Sequence, residues 1–282
     1  MKKQKRIALI NDVTGFGRCS TAVQLPIISA MGVQCCVLPT AILSAHTGYP
    51  TYYFYDYTSH MKEYMDNWKE LGVSFDGITT GFLGSEQQIE LVLSFLEQFQ
   101  REDTKVIVDP VMGDDGVLYA TYTEKMCTEM KHLVHHADVV TPNLTEACRL
   151  LEIEYPSVLP TEEKLKKIAG GLCDLGAKKV VITGLQFHDN VVNYYYERNG
   201  KEGLIGNKKV VESRPGTGDV FSAIITGAEM KGIPIERSVS LSADFIRKAL
   251  VYTMECNTPK NDGLCFESVL WELIEAIHRE KL

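Results

Sequence analysis

The chain is poor in positive charge: 29 Lys and Arg stand against 37 Asp and Glu among 282 residues, for a formal net charge of −8. Nucleic-acid binders usually carry a basic stripe that displaces counterions from phosphate, so that class of partner is excluded. The one dense basic run, Met1-Lys-Lys-Gln-Lys-Arg6, reads as a solvated lead-in. The apolar stretch behind it, Ile7 to Ile10, stops at Asn11-Asp12, too short for a signal peptide. No segment approaches the run of about eighteen apolar residues that a membrane span requires, and a cytoplasmic protein without a membrane partner is expected. The 8 cysteines form no C-x-x-C and no Cys/His zinc pattern. They read as reduced thiols serving as small apolar residues. His132 and His135 would share a helix face, but no third ligand lies near them in sequence, which favours a structural or solvent-facing role. Internal repeats, low-complexity stretches and linkers are also lacking, so residues 1–282 are read as a single domain.

What is present is a regular alternation of strand and helix. Arg6 to Ile10 reads as a buried strand, followed by a Gly-containing loop, a helix over Ser20–Met31 closed by Gly32, and a strand over Val33–Leu38. A turn-rich loop leads to Tyr64, Met65, Trp68 and Leu71 at helical spacing. Gly77 to Thr80 is the next strand, and Ser85-x-x-Gln88 reads as a capping box opening the helix that follows. Further strands are expected over Lys105–Val108, Asp138–Thr141 and Lys179–Thr183, with a helix near Thr123–His135 and short helices from Leu144 and Thr161. Val191 to Val211 reads as a hairpin around Arg198-Asn-Gly-Lys201, at the sheet edge. Helices over Asp219–Lys231, Pro234–Cys256 and Phe266–Lys281 complete the chain. The expected fold is α/β: a mostly parallel central sheet flanked by helices on both faces, with an edge β-hairpin.

Ligands of parallel α/β sheets bind beyond the carboxyl ends of the strands. Asn11-Asp12 to Gly17, Thr80-Gly-Phe-Leu-Gly-Ser85, Asp109-Pro-Val-Met-Gly-Asp114 and Thr141-Pro-Asn-Leu-Thr-Glu146 all follow strands. Gly216-Thr217-Gly218 precedes a helix, where backbone N–H groups and the helix dipole can hold a developing negative charge. An acid beside such an anion hole, Asp219, suits general-base phosphoryl transfer to a hydroxyl, although a helix-start acid is an equally ordinary reading of that tetrapeptide alone. Asp109 and Glu146 could organise Mg²⁺ against nucleotide phosphates; singly, each is more often a cap or a surface acid. There is no G-x-x-x-x-G-K-[ST] and no G-x-G-x-x-G, so neither a Walker-type P-loop nor dinucleotide binding is supported. Protein-kinase, HExxH and G-x-S-x-G patterns are absent as well.

Gly216-Thr-Gly-Asp219 with Asn143-Leu-Thr-Glu146 resembles the G-x-G-D and N-x-x-E pair of the ribokinase-like superfamily. Ser44-Ala-His46-Thr47-Gly48-Tyr49, Thr80 to Ser85, Asp109 to Asp114 and Thr141-Pro-Asn143 are similar, in order, to the pyridoxal kinase branch. The resemblance implies an ATP-dependent kinase acting on the 5′-hydroxymethyl group of a B6 vitamer, with ATP and Mg²⁺, a monovalent cation as a further candidate, and a homodimeric state. It implies Asp219 as the base and Gly216, Thr217 and Gly218 as the anion hole. Asp109 and Glu146 would organise the metal, with Asp114, Tyr119, Asn143, Thr183 and Thr217 on the ATP side. Asp12, His46, Thr47, Tyr49 and Phe82 would face the vitamer, core packing being the competing reading of Tyr49 and Phe82. Gly113 to Thr121 resembles a flap that closes over the site, and Asn207–Val210 and Thr253–Asn257 are candidate neighbours of adenine. Two departures stand out: Asp12 replaces the Ser of a Gln-Ser-His motif, and Phe82 a common Tyr. A carboxylate at 12 would favour a cationic vitamer such as pyridoxamine. Hydroxymethylpyrimidine kinase is the alternative, although its cysteine-bearing lid is not supported, since no cysteine falls between Cys36 and Cys127. Sugar kinases come third, and a nucleotide-binding regulator without turnover is a further alternative.

Overall fold

A computed structural model describes residues 4–198, 200–210 and 214–279. Its central sheet has nine strands in the order β11-β10-β9-β8-β5-β4-β1-β2-β3. The parallel middle comprises β1 (Arg6–Thr14), β2 (Gln34–Leu43), β4 (Gly77–Thr80), β5 (Lys105–Val108), β8 (Val139–Val140) and β9 (Lys179–Phe187). Antiparallel strands close both margins: β3 (Phe54–Asp56) beside β2, and the hairpin of β10 (Asn190–Glu197) and β11 (Glu202–Lys208) beside β9. β6 (Gly113–Asp114) and β7 (Val117–Leu118) form a separate two-stranded ribbon. From β1 the chain steps one way to β2 and the other way to β4, which makes the β1/β4 boundary a topological switch point, the customary ligand crevice of open α/β sheets.

Successive strand residues feed opposite cores, and this two-sided burial explains why the strands read as unbroken apolar runs. Ala8, Val106, Val108, Val140 and Ile182 pack beneath α2 (Thr58–Glu70), α3 (Glu86–Phe99), α4 (Glu124–His135), α5 (Leu144–Leu150) and α6 (Glu162–Asp174). Ile7, Ile107, Val139 and Val181 pack on the other face with α1 (Ser20–Ala30), α7 (Thr217–Lys231), α8 (Ile235–Glu255) and α9 (Leu270–Arg279). The expected α/β architecture is present. Among the described residues, no helix is long and apolar enough to cross a membrane.

Several local expectations need correction. β2 runs five residues past Leu38 to Leu43, and β3 lies inside the segment read as turns. β3 is three residues long with every side chain exposed, so it carries no alternating pattern to detect. β8 keeps only Val139–Val140 of the expected strand, and α6, at 13 residues, is not short. β9 continues to Phe187, which places Thr183 within the strand rather than after it. Ser85 does cap α3, accepting from the Gln88 N–H, but the Gln88 side chain accepts from Gly84 instead of completing a capping box. The helix expected from Asp219 starts two residues earlier, at Thr217. The expected C-terminal helix begins with a 3-10 turn over Glu267–Val269 before α9. The turn residue Asn199, Val211 at the end of the expected hairpin, Lys281, and Met1 to Lys3 of the basic run lie outside the described residues.

Candidate active site

The four strand-end motifs meet at the carboxyl edge of β1, β4, β5 and β8, and the start of α7 joins them from the helical layer. Gly216, the N-cap of α7, has a left-handed φ of 83°. A Cβ there would fall 2.0 Å from the Arg18 carbonyl oxygen. Only glycine therefore lets the loop lie against the segment before α1. Thr217 and Gly218 open the first turn, where N–H groups have no partner within the helix; the Thr217 N–H reaches the Arg214 carbonyl at a long 3.5 Å. Asp219 follows, half-buried. Its carboxyl is pushed up to about 7 by burial first and by the charge of Asp12, against hydrogen bonding from the Ser20 backbone and the Asn11 side chain. A carboxylate with that proton affinity is matched to taking a proton near neutral pH.

Asp219 belongs to a continuous line of acids. Burial, then the charges of Glu146 and Asp219, hold Asp109 well above the ordinary carboxylate range. Glu146 is raised by burial, with Asp114 adding to the shift, and Asp114 itself is raised by burial. Glu146 is also the N3 residue of a complete capping box on α5: its Oε2 accepts from the Asn143 N–H at 2.8 Å while the Asn143 side chain accepts from the Glu146 N–H. Its Oε1 accepts from the Met112 N–H at 3.2 Å. Both Glu146 oxygens thus hold backbone, and Asp109 is the freer of the two carboxylates. Around Asp109 stand the buried hydroxyls of Thr141 and Ser222, neither completing a hydrogen bond, and the Thr80 hydroxyl at the end of β4 is also without a partner. Hard oxygen donors, mutually repelling acids and orphaned hydroxyls fit Mg²⁺. Among the described residues no three His, Cys, Asp or Glu side chains form a cage, so the remaining ligands would be phosphate oxygens and water.

The segment that resembles a flap is the β6–β7 ribbon. Asn143 Nδ2 donates to the Gly113 carbonyl at 2.7 Å, and the Gly116 N–H donates to Thr145 Oγ1 at 2.8 Å, so both the base of the ribbon and its turn are tied to the start of α5. Tyr119 sits on its return arm, and its phenol is raised by desolvation and then by Glu146, Asp114, Asp109 and Asp219. Thr183, half-buried in β9, donates its N–H to the Pro142 carbonyl at 2.9 Å and bridges to Asn143.

On the β1 side, pairing with β2 slips between Asn11 and Val13: Asp12 stands opposite two β2 residues, Thr40 and Ala41, so the extra residue lies on β2. Asp12 is buried, and its Oδ2 accepts from Thr14 Oγ1 at 2.7 Å. Ser20, the first residue of α1, has a left-handed φ of 53° and places its hydroxyl against Asp12 and its N–H towards Asp219. Phe82 is half-buried, held by its N–H to Asn11 and by its carbonyl accepting from Thr40. Thr47 is exposed. His46 and Tyr49 take partners that the sequence did not reveal. His46 Nε2 meets the Asn261 carbonyl at 2.6 Å, and the Tyr49 hydroxyl donates to Asp262 Oδ1 at 2.7 Å. Cys19, beside Asp219, is pushed up to about 12 by burial and the neighbouring acids, so it is an inert thiol. Asn11, Ser20, Thr141 and Ser222 join the site without having been assigned a role from sequence. Thr141 carried the one available signal, its position after a strand; the expectation that Asn11 opens a loop after a strand ending at Ile10 is corrected, because β1 continues to Thr14 and Asn11 lies within it.

Fold and site together define a ribokinase-like phosphotransferase with an alcohol group as acceptor. The profile of the phosphomethylpyrimidine kinase family matches residues 24–263, and the chain belongs to this family, the pyridoxal and phosphomethylpyrimidine kinases of the ribokinase-like fold. It is similar to a Bacteroides thetaiotaomicron protein provisionally named a phosphomethylpyrimidine kinase, solved with pyridoxal. Identity is 37% and the TM-score 0.91, over 97% of this chain and 96% of that one. A pyridoxal kinase from Lactobacillus plantarum superposes with a TM-score of 0.90 at 27% identity, over 99% of each chain. The pyridoxine/pyridoxal/pyridoxamine kinase of Bordetella avium is 27% identical over 275 residues, 92% of this chain and 91% of that one.

Proposed function

We propose that the protein, read as one kinase domain over residues 1–282, transfers the γ-phosphoryl group of ATP to the 5′-hydroxymethyl group of a B6 vitamer: pyridoxal, pyridoxamine or pyridoxine. The observation that carries this reading is the Bacteroides thetaiotaomicron neighbour solved with pyridoxal, similar over almost the whole of both chains. Asp219 accepts the hydroxyl proton while the substrate oxygen forms its bond to the γ-phosphorus. The bond from that phosphorus to the β–γ bridging oxygen breaks, and ADP leaves. The Gly216, Thr217 and Gly218 amides receive the negative charge that grows on the transferring group. Asp114, Tyr119, Asn143, Thr183 and Thr217 line the nucleotide side, and the β6–β7 ribbon excludes water. Asp12, His46, Thr47, Tyr49 and Phe82 border the vitamer. Bound near Asp109 and Glu146, Mg²⁺ would offset phosphate charge. A homodimer remains part of the proposal, to be checked by light scattering.

Phosphorylation of a hydroxymethylpyrimidine is the second reading, favoured by the family profile itself. Both acceptors are flat heteroaromatics with a hydroxymethyl arm. ADP release with Mg·ATP against pyridoxal, pyridoxine, pyridoxamine, hydroxymethylpyrimidine and ribose separates them, with Asp219→Asn as control. Turnover on the B6 members, lost in the variant, is the expected result. Turnover on the pyrimidine alone transfers the assignment to the second reading, and ATP binding without turnover on any acceptor points to a regulator.

A further inference from the structure

Three loops of the site are fastened to one short strap of chain, residues 258–263, which follows α8. The 46–49 loop reaches it through His46, Gly48 and Tyr49. Arg18, just before α1, donates its N–H and its Nη1 to the Asp262 carbonyl at 3.3 and 3.2 Å. The third loop is the one that opens α7: Arg214 Nη1 donates to the carbonyls of Thr258 and Pro259 at 2.8 and 3.0 Å. Arg214 is also attached to the glycine turn itself. Its carbonyl accepts from Thr217 Oγ1 at 3.1 Å, and only Pro215, whose ring fixes φ, separates it from Gly216. Turn and strap meet on Arg18, because a Cβ on Gly216 would fall 2.0 Å from the Arg18 carbonyl oxygen and one on Gly263 2.9 Å from it. Under the proposed function, the strap therefore links the loop beside the acceptor ring to the loop beside the transferring phosphoryl group.

We propose that Arg214 is a positioning residue for phosphoryl transfer: it fastens the Gly216–Gly218 turn to the strap that also holds the 46–49 loop, and so sets the distance between the transferring group and the acceptor hydroxyl. The proposal rests on the reading of the Gly216–Gly218 amides as the anion hole. Transfer needs the reacting atoms held at about 3–3.5 Å, so a small displacement of the turn lowers rate far more than affinity. Methionine at 214 keeps an apolar stem and loses the donors, whereas lysine keeps a charged donor on a comparable arm. A side chain that merely supports the fold would lower stability and leave the kcat of the folded enzyme in place.

The test compares wild type, Arg214→Met, Arg214→Lys, Tyr49→Phe and the double variant Arg214→Met/Tyr49→Phe, with Asp219→Asn alongside and melting temperatures recorded for each. The substrates are Mg·ATP and pyridoxal, or hydroxymethylpyrimidine should only that acceptor turn over. In Arg214→Met, kcat is expected to fall by roughly ten- to a hundredfold, with KM for Mg·ATP and for the acceptor within about threefold of wild type. Arg214→Lys recovers at least about a third of the wild-type kcat. In the double variant the losses in kcat/KM for the acceptor depart from additivity by at least about threefold, because both side chains act through one strap. Arg214→Gln carries the same readouts should the methionine variant fail to fold. A folded variant with wild-type kcat, or losses that simply add, overturns the proposal, while an inactive Asp219→Asn leaves the function reading standing. A wild-type enzyme that phosphorylates neither acceptor overturns both.

Discussion

The two halves of the site solve opposite problems. On the β1 side, most polar groups are matched to one another, Asn11 to Asp12, Phe82 and Gln24, His46 to Asn261, Tyr49 to Asp262, with the Thr21 hydroxyl and the Gln24 amide nitrogen the exceptions among the described residues. On the β5–β8 side, buried acids face one another, and the hydroxyls of Thr80, Tyr122, Thr141 and Ser222 have no partner among the described residues. Under the proposed function, the first half offers the acceptor ring a wall whose hydrogen bonds are already largely formed. The second is electrostatically unfavourable until positive charge arrives, so under the proposed function part of the binding energy of a metal–nucleotide complex would relieve repulsion already present in the free protein. Such a division makes the phosphate half sensitive to ligands and pH, and the ring half sensitive to geometry.

The largest effect that would sharpen this contrast comes from Gly216→Ala. A side chain at φ 83°, with its Cβ 2.0 Å from the Arg18 carbonyl oxygen, must displace the anion-hole loop. Loss of donors of this kind lowers kcat by about 10²–10³-fold, with a smaller rise in KM for the vitamer because the displaced Arg18 segment also adjoins the ring half. Steady-state kinetics with pyridoxal check this; a variant with wild-type kcat would show that the Gly216 loop does not hold the transferring group. Asp109→Asn comes next. Removing one acid from the repelling line should raise the melting temperature of the metal-free protein at pH 8 while raising the Mg²⁺ concentration needed for half-maximal rate by roughly 10–100-fold. Paired melting curves and Mg²⁺ titrations check the two opposite signs.

Titrating stability gives a smaller effect with a definite direction. Asp219 holds protons more tightly folded than its ordinary value near 3.8, up to about 7. Between those values the folded state binds more protons than the unfolded one, so the contribution of this group to stability is greatest at the acid end and is lost as pH rises through about 7. Asp109 and Glu146, also raised, extend the same trend. The metal-free protein should therefore lose stability from mildly acidic to mildly alkaline pH, and Mg·ATP should flatten that slope. Calorimetry with and without Mg·ATP would show it; equal slopes would mean that the acids are not neutralised by the ligand.

How much of this was legible in the sequence follows from how local each feature is. The parallel sheet was readable because strands such as Val106–Val108 are buried on both faces and helices announce their caps, as at Ser85, Thr123 and Thr161. The exposed edge strand β3 offered no pattern, and the continuation of β9 past Thr183 depends on its pairing with β10. The expectation of Asp109 and Glu146 at the site followed from the rule that ligands sit beyond strand ends, and that of Asp219 from the Gly216-Thr-Gly218 loop at a helix start. The elevated proton affinities did not, because they depend on which acids the fold brings together. Least legible were the partners of His46 and Tyr49, which lie 215 and 213 positions along the chain.

Those partners supply the smallest effect and the finest test of the comparison. Three hydrogen bonds tie the 46–49 loop to Asn261 and Asp262: His46 to the Asn261 carbonyl, Asn261 Nδ2 to the Gly48 carbonyl, and the Tyr49 hydroxyl to Asp262. The loop borders the ring half, so it can serve the vitamer directly, through Tyr49, or indirectly, by keeping a fixed wall. Tyr49→Phe removes only the third bond and leaves the ring packed against Phe16 and His46, with centroids 5.3 and 4.7 Å away. A partly exposed hydrogen bond contributes about 1 kcal/mol, somewhat more to a carboxylate, but the two remaining bonds keep the loop in register, so only part of that loss reaches the ring half. If Tyr49 is part of the wall, its variant should raise KM for pyridoxal by no more than about fivefold with kcat unchanged. A rise of about a hundredfold would mean that the hydroxyl leaves Asp262 for the substrate, and that the ring half is completed by binding, as the phosphate half is.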